Sequence, residues 1–121
     1  MDKTILIVDD TPENIQILSS ILKDYQKKVA INGDLALKIA NSPVRPDLIL
    51  LDIMMPGKDG YEVIKELKSN EYTKNIPVIF LTSKDSQAEM EKGLQLGAVD
   101  YLLKPFDSEK MLNSIHQILN N

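Results

Sequence analysis

The chain has 121 residues, a formal net charge of −4 and no cysteine. This length fits one domain with its own core, and the negative charge argues against direct binding to nucleic-acid phosphates. The lack of cysteine excludes disulfides and thiolate metal sites.

Five short apolar runs alternate with segments of helical period. In chain order these runs are TILIVD, KKVAI, DLILLD, PVIFLT and VDYLLK. Such alternation predicts right-handed crossovers and an α/β fold, a parallel sheet with helices on both faces. The third run has no polar alternation between Leu48 and Leu51, which is typical of a strand buried on both faces.

Capping residues mark where the helices begin. The predicted N-caps of the five helices are Thr11, Asn32, Asp59, Ser86 and Asp107. A glutamate three residues after Asp59, and another three after Ser86, complete capping boxes. Gly97 is predicted to end the fourth helix in a left-handed turn. The residues expected to face inward from the first and last helices are Ile15, Leu18, Ile21, Leu22, Met111, Leu112, Ile115 and Leu119.

All strands of a parallel sheet end at the same edge. Asp9 and Asp10 follow the first strand, Asp52 ends the third, Thr82 ends the fourth and Lys104 follows the fifth. Four of the five strands therefore bring a charged or hydroxyl side chain to the edge where doubly wound sheets bind ligands.

The residue types at this edge predict phosphoryl chemistry. Two carboxylates ~4 Å apart repel by roughly 4 kcal/mol at an effective dielectric of ~20, so a cation is needed among them. Magnesium fits best, because it binds carboxylate and phosphate oxygens and keeps waters. With Lys104 and Thr82 as donors to phosphoryl oxygens, the set predicts transfer of a phosphoryl group onto an aspartate.

With these residues in place, the whole chain resembles the receiver domain of bacterial two-component response regulators. The resemblance rests on VDD, DIMMPGKDG, LTS and DYLLKPF, which occur in this order at the strand ends. It implies one receiver domain over residues 1–121, with a flavodoxin-like, doubly wound sheet of strand order 2-1-3-4-5.

The resemblance also implies a function for the acidic residues. By this resemblance, Asp52 would be the phosphoacceptor, and Asp9, Asp10 and Asp52 would hold Mg²⁺ together with the backbone carbonyl of Met54. The phosphoryl group is expected to come from a sensor histidine kinase or a histidine phosphotransfer protein. The domain is expected to be a signalling switch that catalyses only its own phosphorylation and dephosphorylation.

A further implication concerns the switch. Thr82 and Lys104 bind phosphoryl oxygens, Tyr101 is an aromatic switch residue, and the Lys104–Pro105 peptide bond is cis. The face built from the fourth helix, fifth strand and fifth helix then binds an output domain, a protein partner or a second copy of the chain. The residues expected on this face include Lys84, Gln87, Glu91 and Tyr101.

Two positions depart from the family pattern. Lys58 lies near the phosphoacceptor loop, where the family often has an apolar residue. Val99, and the absence of arginine from the last helix, differ from the DNA-binding subgroup, so the sequence does not predict a transcription factor.

No apolar run approaches the length of a membrane span and the first residues do not resemble a signal peptide, so a cytoplasmic protein without membrane contact is predicted.

Simpler structural interpretations exist for several of these residues. Asp9 and Asp10 could cap a helix, although Thr11 is expected to serve that role, and Thr82 could be an ordinary strand-end hydroxyl. Lys104 could be a surface lysine and Tyr101 a packing residue. The acidic residues placed elsewhere are Asp47 and Asp100, at the opposite edge, and Asp59, as a cap. The one histidine, His116, is expected to be a partly exposed helix residue.

Three other functions compete with the switch. A phosphohydrolase would need a second acid two residues after the nucleophile, where the chain has Met54. A flavin-binding protein would need a first loop rich in glycine, serine and threonine, whereas this loop reads DDTPEN. An adaptor that needs no phosphorylation would leave the complete acceptor set unexplained.

Overall fold

Five strands alternate with five helices in the computed structural model, which describes residues 3–83 and 87–120. The strands are β1 (Thr4–Val8), β2 (Gln26–Ala30), β3 (Leu48–Asp52), β4 (Val78–Thr82) and β5 (Asp100–Leu103). The helices are α1 (Pro12–Ile21), α2 (Gly33–Ala40), α3 (Gly60–Lys68), α4 (Gln87–Gln95) and α5 (Ser108–Leu119). The predicted alternation is confirmed, and each strand lies within one residue of its predicted run at either end.

The strands form one parallel sheet in the order β2-β1-β3-β4-β5, as expected. The register places Val8 of β1 beside Leu51 of β3, and Asp52 of β3 beside Leu81 of β4. The carboxyl ends of the strands therefore meet at one edge of the sheet, which is the edge that carries the candidate site.

Helices cover both faces of the sheet. Every residue of β3 and β4 is buried, which confirms that the apolar run around Leu50 is a central strand. On one face the core joins the strands to α2 and α3, and on the other it joins them to α1 and α5. Helix α4 lies on the first of these faces, with Gly93 against the buried ring of Phe80.

Most of the predicted caps are confirmed. Asn32 accepts a hydrogen bond from the Leu35 amide at 2.8 Å, and Asp107 caps α5 in the same way. Asp59 forms the complete capping box. The side chain of Thr11 makes no capping hydrogen bond, so that prediction was wrong in its chemistry although α1 does begin there. Ser86 and Lys84 lie outside the described residues.

The predicted inward face of α5 needs one correction. Met111 and Ile115 are buried and Leu119 packs partly against the core, but Leu112 is 37% exposed. Successive helical residues differ by about 100° in direction, so the side chain after Met111 points away from the sheet that buries Met111.

Gly97, after α4, has the positive φ expected of it, +114°. Throughout the described ranges, no helix has both the length and the hydrophobicity needed to cross a membrane.

Candidate phosphoacceptor site

The sheet brings four predicted side chains to one edge. Asp9 directly follows β1, Asp52 and Thr82 are the last residues of β3 and β4, and Lys104 follows β5. Asp9, Asp52 and Thr82 are buried, with exposed fractions of 0%, 2% and 3%. Carboxylates at such depth need compensating partners, since burial strongly disfavours an unpaired charge.

Three carboxylates form the centre of the site. Oxygens of Asp9, Asp10 and Asp52 lie within 4.8 Å of one another, and Asp10 is the exposed member. A set made only of carboxylate oxygens matches a hard divalent cation such as Mg²⁺, which accepts one or two carboxylates and keeps waters. The exposed position of Asp10 leaves the cluster open on the side from which a ligand would arrive.

Lys104 supplies the positive charge that the structure shows within the cluster. Its Nζ lies 3.1 Å from Asp52 Oδ1 and 3.6 Å from Asp9 Oδ2. One ammonium group therefore contacts two of the three carboxylates. This placement differs from that of a solvated surface lysine, because the acidic partners are buried.

The electrostatics of Asp52 reflect its burial. Removal from water raises the pKa of the Asp52 carboxyl, and repulsion from Asp9 raises it further. Attraction to Lys104, the hydrogen bond from Lys104 and the Met54 backbone amide act in the opposite direction, but the pKa stays above its usual value. A second cation among the carboxylates would therefore be favoured.

Asp9 is held by contacts that the sequence pattern did not predict. Its Oδ1 accepts a hydrogen bond from the Thr11 amide at 2.9 Å, and its Oδ2 accepts one from Asn14 Nδ2 at 3.3 Å. Asn14 was missed as a site residue. The signal available was its place in the first turn of α1, five residues after Asp9, where a helix that starts beside the acidic loop turns a side chain back toward it.

The loop after β3 begins with a tight turn around the phosphoacceptor candidate. The Met54 amide donates to Asp52 Oδ1 at 3.2 Å, and the Met54 side chain is 59% exposed. Gly60 returns the chain to the strand, with its amide 3.0 Å from the Ile53 carbonyl oxygen. A Cβ on Gly60 would lie 2.6 Å from the Asp52 carbonyl oxygen, so only glycine fits this approach.

Thr82 and Tyr101 share a small cavity beside β4. Both line it, together with Phe80 and three residues of α4, Glu89, Met90 and Leu94. Tyr101 is half-buried and packs against the core on this face. The Lys104–Pro105 peptide bond directly after β5 is cis.

Asp47 and Asp100 lie outside the carboxylate cluster and have structural hydrogen bonds. Asp47 accepts a hydrogen bond from the Thr4 amide at 2.8 Å, and Asp100 accepts from the Ser114 hydroxyl at 2.7 Å. His116 is an exposed residue of α5. Lys58 pairs with Glu66 and Asp34 on the helical face, not with the acidic cluster.

Comparison with known proteins identifies relatives along the whole chain. A family model described as response regulator receiver domain matches residues 5–116. A "Probable cyclic di-GMP phosphodiesterase" from Vibrio cholerae serotype O1 is 48% identical over 120 residues, which are 98% of this chain and 27% of that protein. The chain thus spans about a quarter of the length of the first curated relatives that it matches.

Solved structures give the same result for the fold. The chemotaxis protein CheY4 of Vibrio cholerae superposes with a TM-score of 0.90 at 31% identity, covering 98% of this chain and 100% of that one. The receiver domain of the sensor histidine kinase PA1611 from Pseudomonas aeruginosa PAO1 has a TM-score of 0.90 at 30% identity, with both chains fully covered. In that structure a magnesium ion is coordinated in the active site cleft.

Proposed function

This chain belongs to the response regulator receiver family, and on that premise we propose that residues 1–121 form one receiver domain in which Asp52 accepts a phosphoryl group with the help of Mg²⁺. The observation that carries the proposal is the pairing of a buried aspartate with two further carboxylates and one lysine at the carboxyl edge of the sheet. Receiver domains are signalling switches, so the phosphoryl group is the signal that this chain receives.

Magnesium fits the oxygen donors of the acidic cluster. Asp9, Asp10 and Asp52 would hold the ion, and the Met54 carbonyl remains a proposed fourth protein ligand. When bound, the ion offsets the repulsion between the carboxylates and an anionic phosphodonor. The ion bound to the receiver domain from Pseudomonas aeruginosa supports this assignment for a related domain.

The residues of this chain carry the transfer itself. A carboxylate oxygen of Asp52 forms the new bond to phosphorus while the bond from phosphorus to the donor's imidazole nitrogen breaks, and the imidazole leaves with the electron pair of that bond. The Lys104 ammonium and the Thr82 hydroxyl are proposed to bind phosphoryl oxygens. Because Met54 stands two residues after Asp52, where a phosphohydrolase would need a second acid, the domain acts on itself and does not turn over phosphate esters.

The proposed partners follow from the same chemistry. A sensor histidine kinase or a histidine phosphotransfer protein in the cytoplasm supplies the phosphoryl group. The output partner, or a second copy of the chain, binds the face of α4, β5 and α5. Support comes from exposed apolar side chains along that part of the chain, namely Leu94, Val99, Leu103 and Leu112.

Intact-mass spectrometry tests the phosphoacceptor directly. Incubation with Mg²⁺ and acetyl phosphate should add one phosphoryl group per chain, and Asp52→Asn should add none. Asp100→Asn is the matched control, because Asp100 lies outside the carboxylate cluster and should leave the mass increase intact. An increase that persists in Asp52→Asn, or in excess EDTA, contradicts the assignment.

A further inference from the structure

A hydrogen bond outside the phosphoacceptor site joins two neighbouring helices. The Tyr61 hydroxyl, in the first turn of α3, donates to Glu89 Oε2 in α4 at 2.6 Å. Lys92 Nζ, one turn further along α4, lies 4.3 Å from the centroid of the Tyr61 ring. Burial and the nearby Glu89 carboxylate raise the pKa of Tyr61 to about 12, so the hydroxyl remains a donor at neutral pH.

The Tyr61 side of this contact is fixed to the phosphoacceptor strand. Tyr61 directly follows Gly60, whose amide donates to the Ile53 carbonyl and whose Cα lies too close to the Asp52 carbonyl for any side chain. The Asp59 capping box closes the same helical turn. The Tyr61 ring also meets the buried Phe80 ring edge-on, with 5.6 Å between centroids. Tyr61 is therefore held in place through its neighbour Gly60 and through the contact of its own ring with Phe80.

The α4 side of the contact borders the space beside β4 that Tyr101 would enter when Thr82 moves toward a phosphoryl group on Asp52. Glu89 and Met90 line the cavity that Thr82 and Tyr101 share. Its volume is about 10 Å³, which holds no more than one water molecule. A phenol ring does not fit in that volume, so inward movement of Tyr101 needs space from the surrounding residues, and α4 forms one wall of the cavity.

Helix α4 cannot make this space by tilting, with its C-terminal part moving toward the sheet. A Cβ on Gly93 would lie only 2.7 Å from the Phe80 ring, so the helix already rests on β4 there. A displacement of the turn that carries Glu89 would supply this space, and it would separate the Glu89 carboxylate from the Tyr61 hydroxyl.

We propose that the Tyr61–Glu89 hydrogen bond is a latch that holds α4 against α3 before phosphorylation and opens when the domain switches. The inference rests on the proposed function, because the movement that the latch opposes is driven by phosphorylation of Asp52. A contact that is present in only one of two states shifts the balance between them toward that state. By linkage, a chain without the latch should bind more tightly any phosphoryl mimic that favours the switched state.

Tyr61→Phe is the direct test, because it removes the hydroxyl and keeps the ring. The probe is beryllofluoride with Mg²⁺, titrated by calorimetry. We expect Tyr61→Phe to bind beryllofluoride about fivefold more tightly than the unmutated chain, the effect of one net hydrogen bond lost from one state. Amide exchange over residues 87–95 without beryllofluoride should also become faster.

A matched control is available on another surface. The Tyr72 hydroxyl donates to the Ser42 carbonyl at 2.8 Å, so Tyr72→Phe removes a similar bond that involves no residue of α4 and should leave beryllofluoride affinity unchanged. Glu89→Ala, which removes the acceptor, adds a second test. In a double-mutant cycle with Tyr61→Phe, the two effects should be less than additive if the side chains act through one bond.

The outcomes separate the latch from the proposed function. Tight binding by the unmutated chain, with equal or weaker binding by Tyr61→Phe, overturns the latch and leaves the phosphoacceptor assignment standing. Full additivity in the cycle also overturns it. Failure of the unmutated chain to bind beryllofluoride, when Asp52→Asn behaves identically, overturns the proposed function and the latch with it.

Discussion

The Lys104 ammonium lies 3.1 Å from Asp52 Oδ1, which pairs the residue after β5 with the last residue of β3. Attraction to this lysine lowers the pKa of Asp52, but burial and the Asp9 carboxylate raise it by more. The ionised Asp52 therefore destabilises the folded chain, and Lys104 offsets that cost only in part. The proposed phosphoacceptor role of Asp52 and the stability of the fold therefore oppose each other at this position.

Asp52→Asn should stabilise the chain in the absence of Mg²⁺. A carboxyl whose pKa is higher in the folded than in the unfolded chain is most stabilising below the unfolded value of 3.8, and its contribution is lost as pH rises through the folded pKa. The variant avoids that loss, so its Tm near neutral pH should rise by a few degrees. The gain should shrink as pH falls through the raised pKa of Asp52, because the carboxyl is then protonated in the folded chain.

Thermal denaturation across this pH range measures the effect. Asp47→Asn is a suitable comparison, because Asp47 accepts a hydrogen bond from the Thr4 amide, and weakening that bond should lower Tm. A lower Tm for Asp52→Asn than for the unmutated chain near neutral pH would show that Lys104 outweighs the cost of burial.

Asp9→Ala and Asp10→Ala should weaken Mg²⁺ binding and phosphorylation together, each by about tenfold or more, because each removes an oxygen ligand from the cluster. Asp47→Ala and Asp100→Ala should leave both nearly unchanged, since their carboxylates accept hydrogen bonds elsewhere. Calorimetric titration with Mg²⁺ provides the measurement. Equal losses in all four variants would show that the acidic cluster is not the magnesium site.

Beryllofluoride should alter one face of the domain selectively. A phosphoryl group would add about two negative charges beside Asp52 and should draw in the Thr82 hydroxyl and the Lys104 ammonium. We expect amide exchange to change over residues 82–106, where Tyr101 and α4 lie, and to stay constant in α1 and α2. Changes confined to α1 and α2 would refute this account of the output face.

Gly60→Ala should destabilise the chain by about 2 kcal/mol, a typical cost of overpacking. The added Cβ would meet the Asp52 carbonyl oxygen at 2.6 Å and the Ile53 Cα at 2.8 Å, and neither backbone group can move without shifting β3. Phosphorylation should slow in the same variant. Urea denaturation gives the first effect and the rate of mass increase with acetyl phosphate gives the second.

Gly57→Ala is the control for that prediction. Gly57 has φ of +76°, and a Cβ added there would meet no atom within 4 Å, so the substitution costs only backbone strain, about 1 kcal/mol. If the two variants are equally destabilised, the contact between Gly60 and the phosphoacceptor strand carries no special cost.

The sequence alone determined the architecture and the edge at which the site lies. Apolar runs such as Leu48 to Leu51, alternating with helical segments, impose parallel strands, and parallel strands place Asp52, Thr82 and Lys104 at one edge. These are consequences of local pattern and of chain handedness. The strand order came from the family resemblance, because the alternation of strands and helices does not by itself order them.

Only the tertiary structure decided which side chains touch. Asn14 reaches Asp9 because of how α1 is rotated on the sheet, and the same kind of rotation exposes Leu112. Tyr61 and Glu89 are 28 residues apart and meet only because α3 and α4 pack side by side. Contacts of this kind depend on the relative placement of whole elements, which the periodicity of each element does not specify.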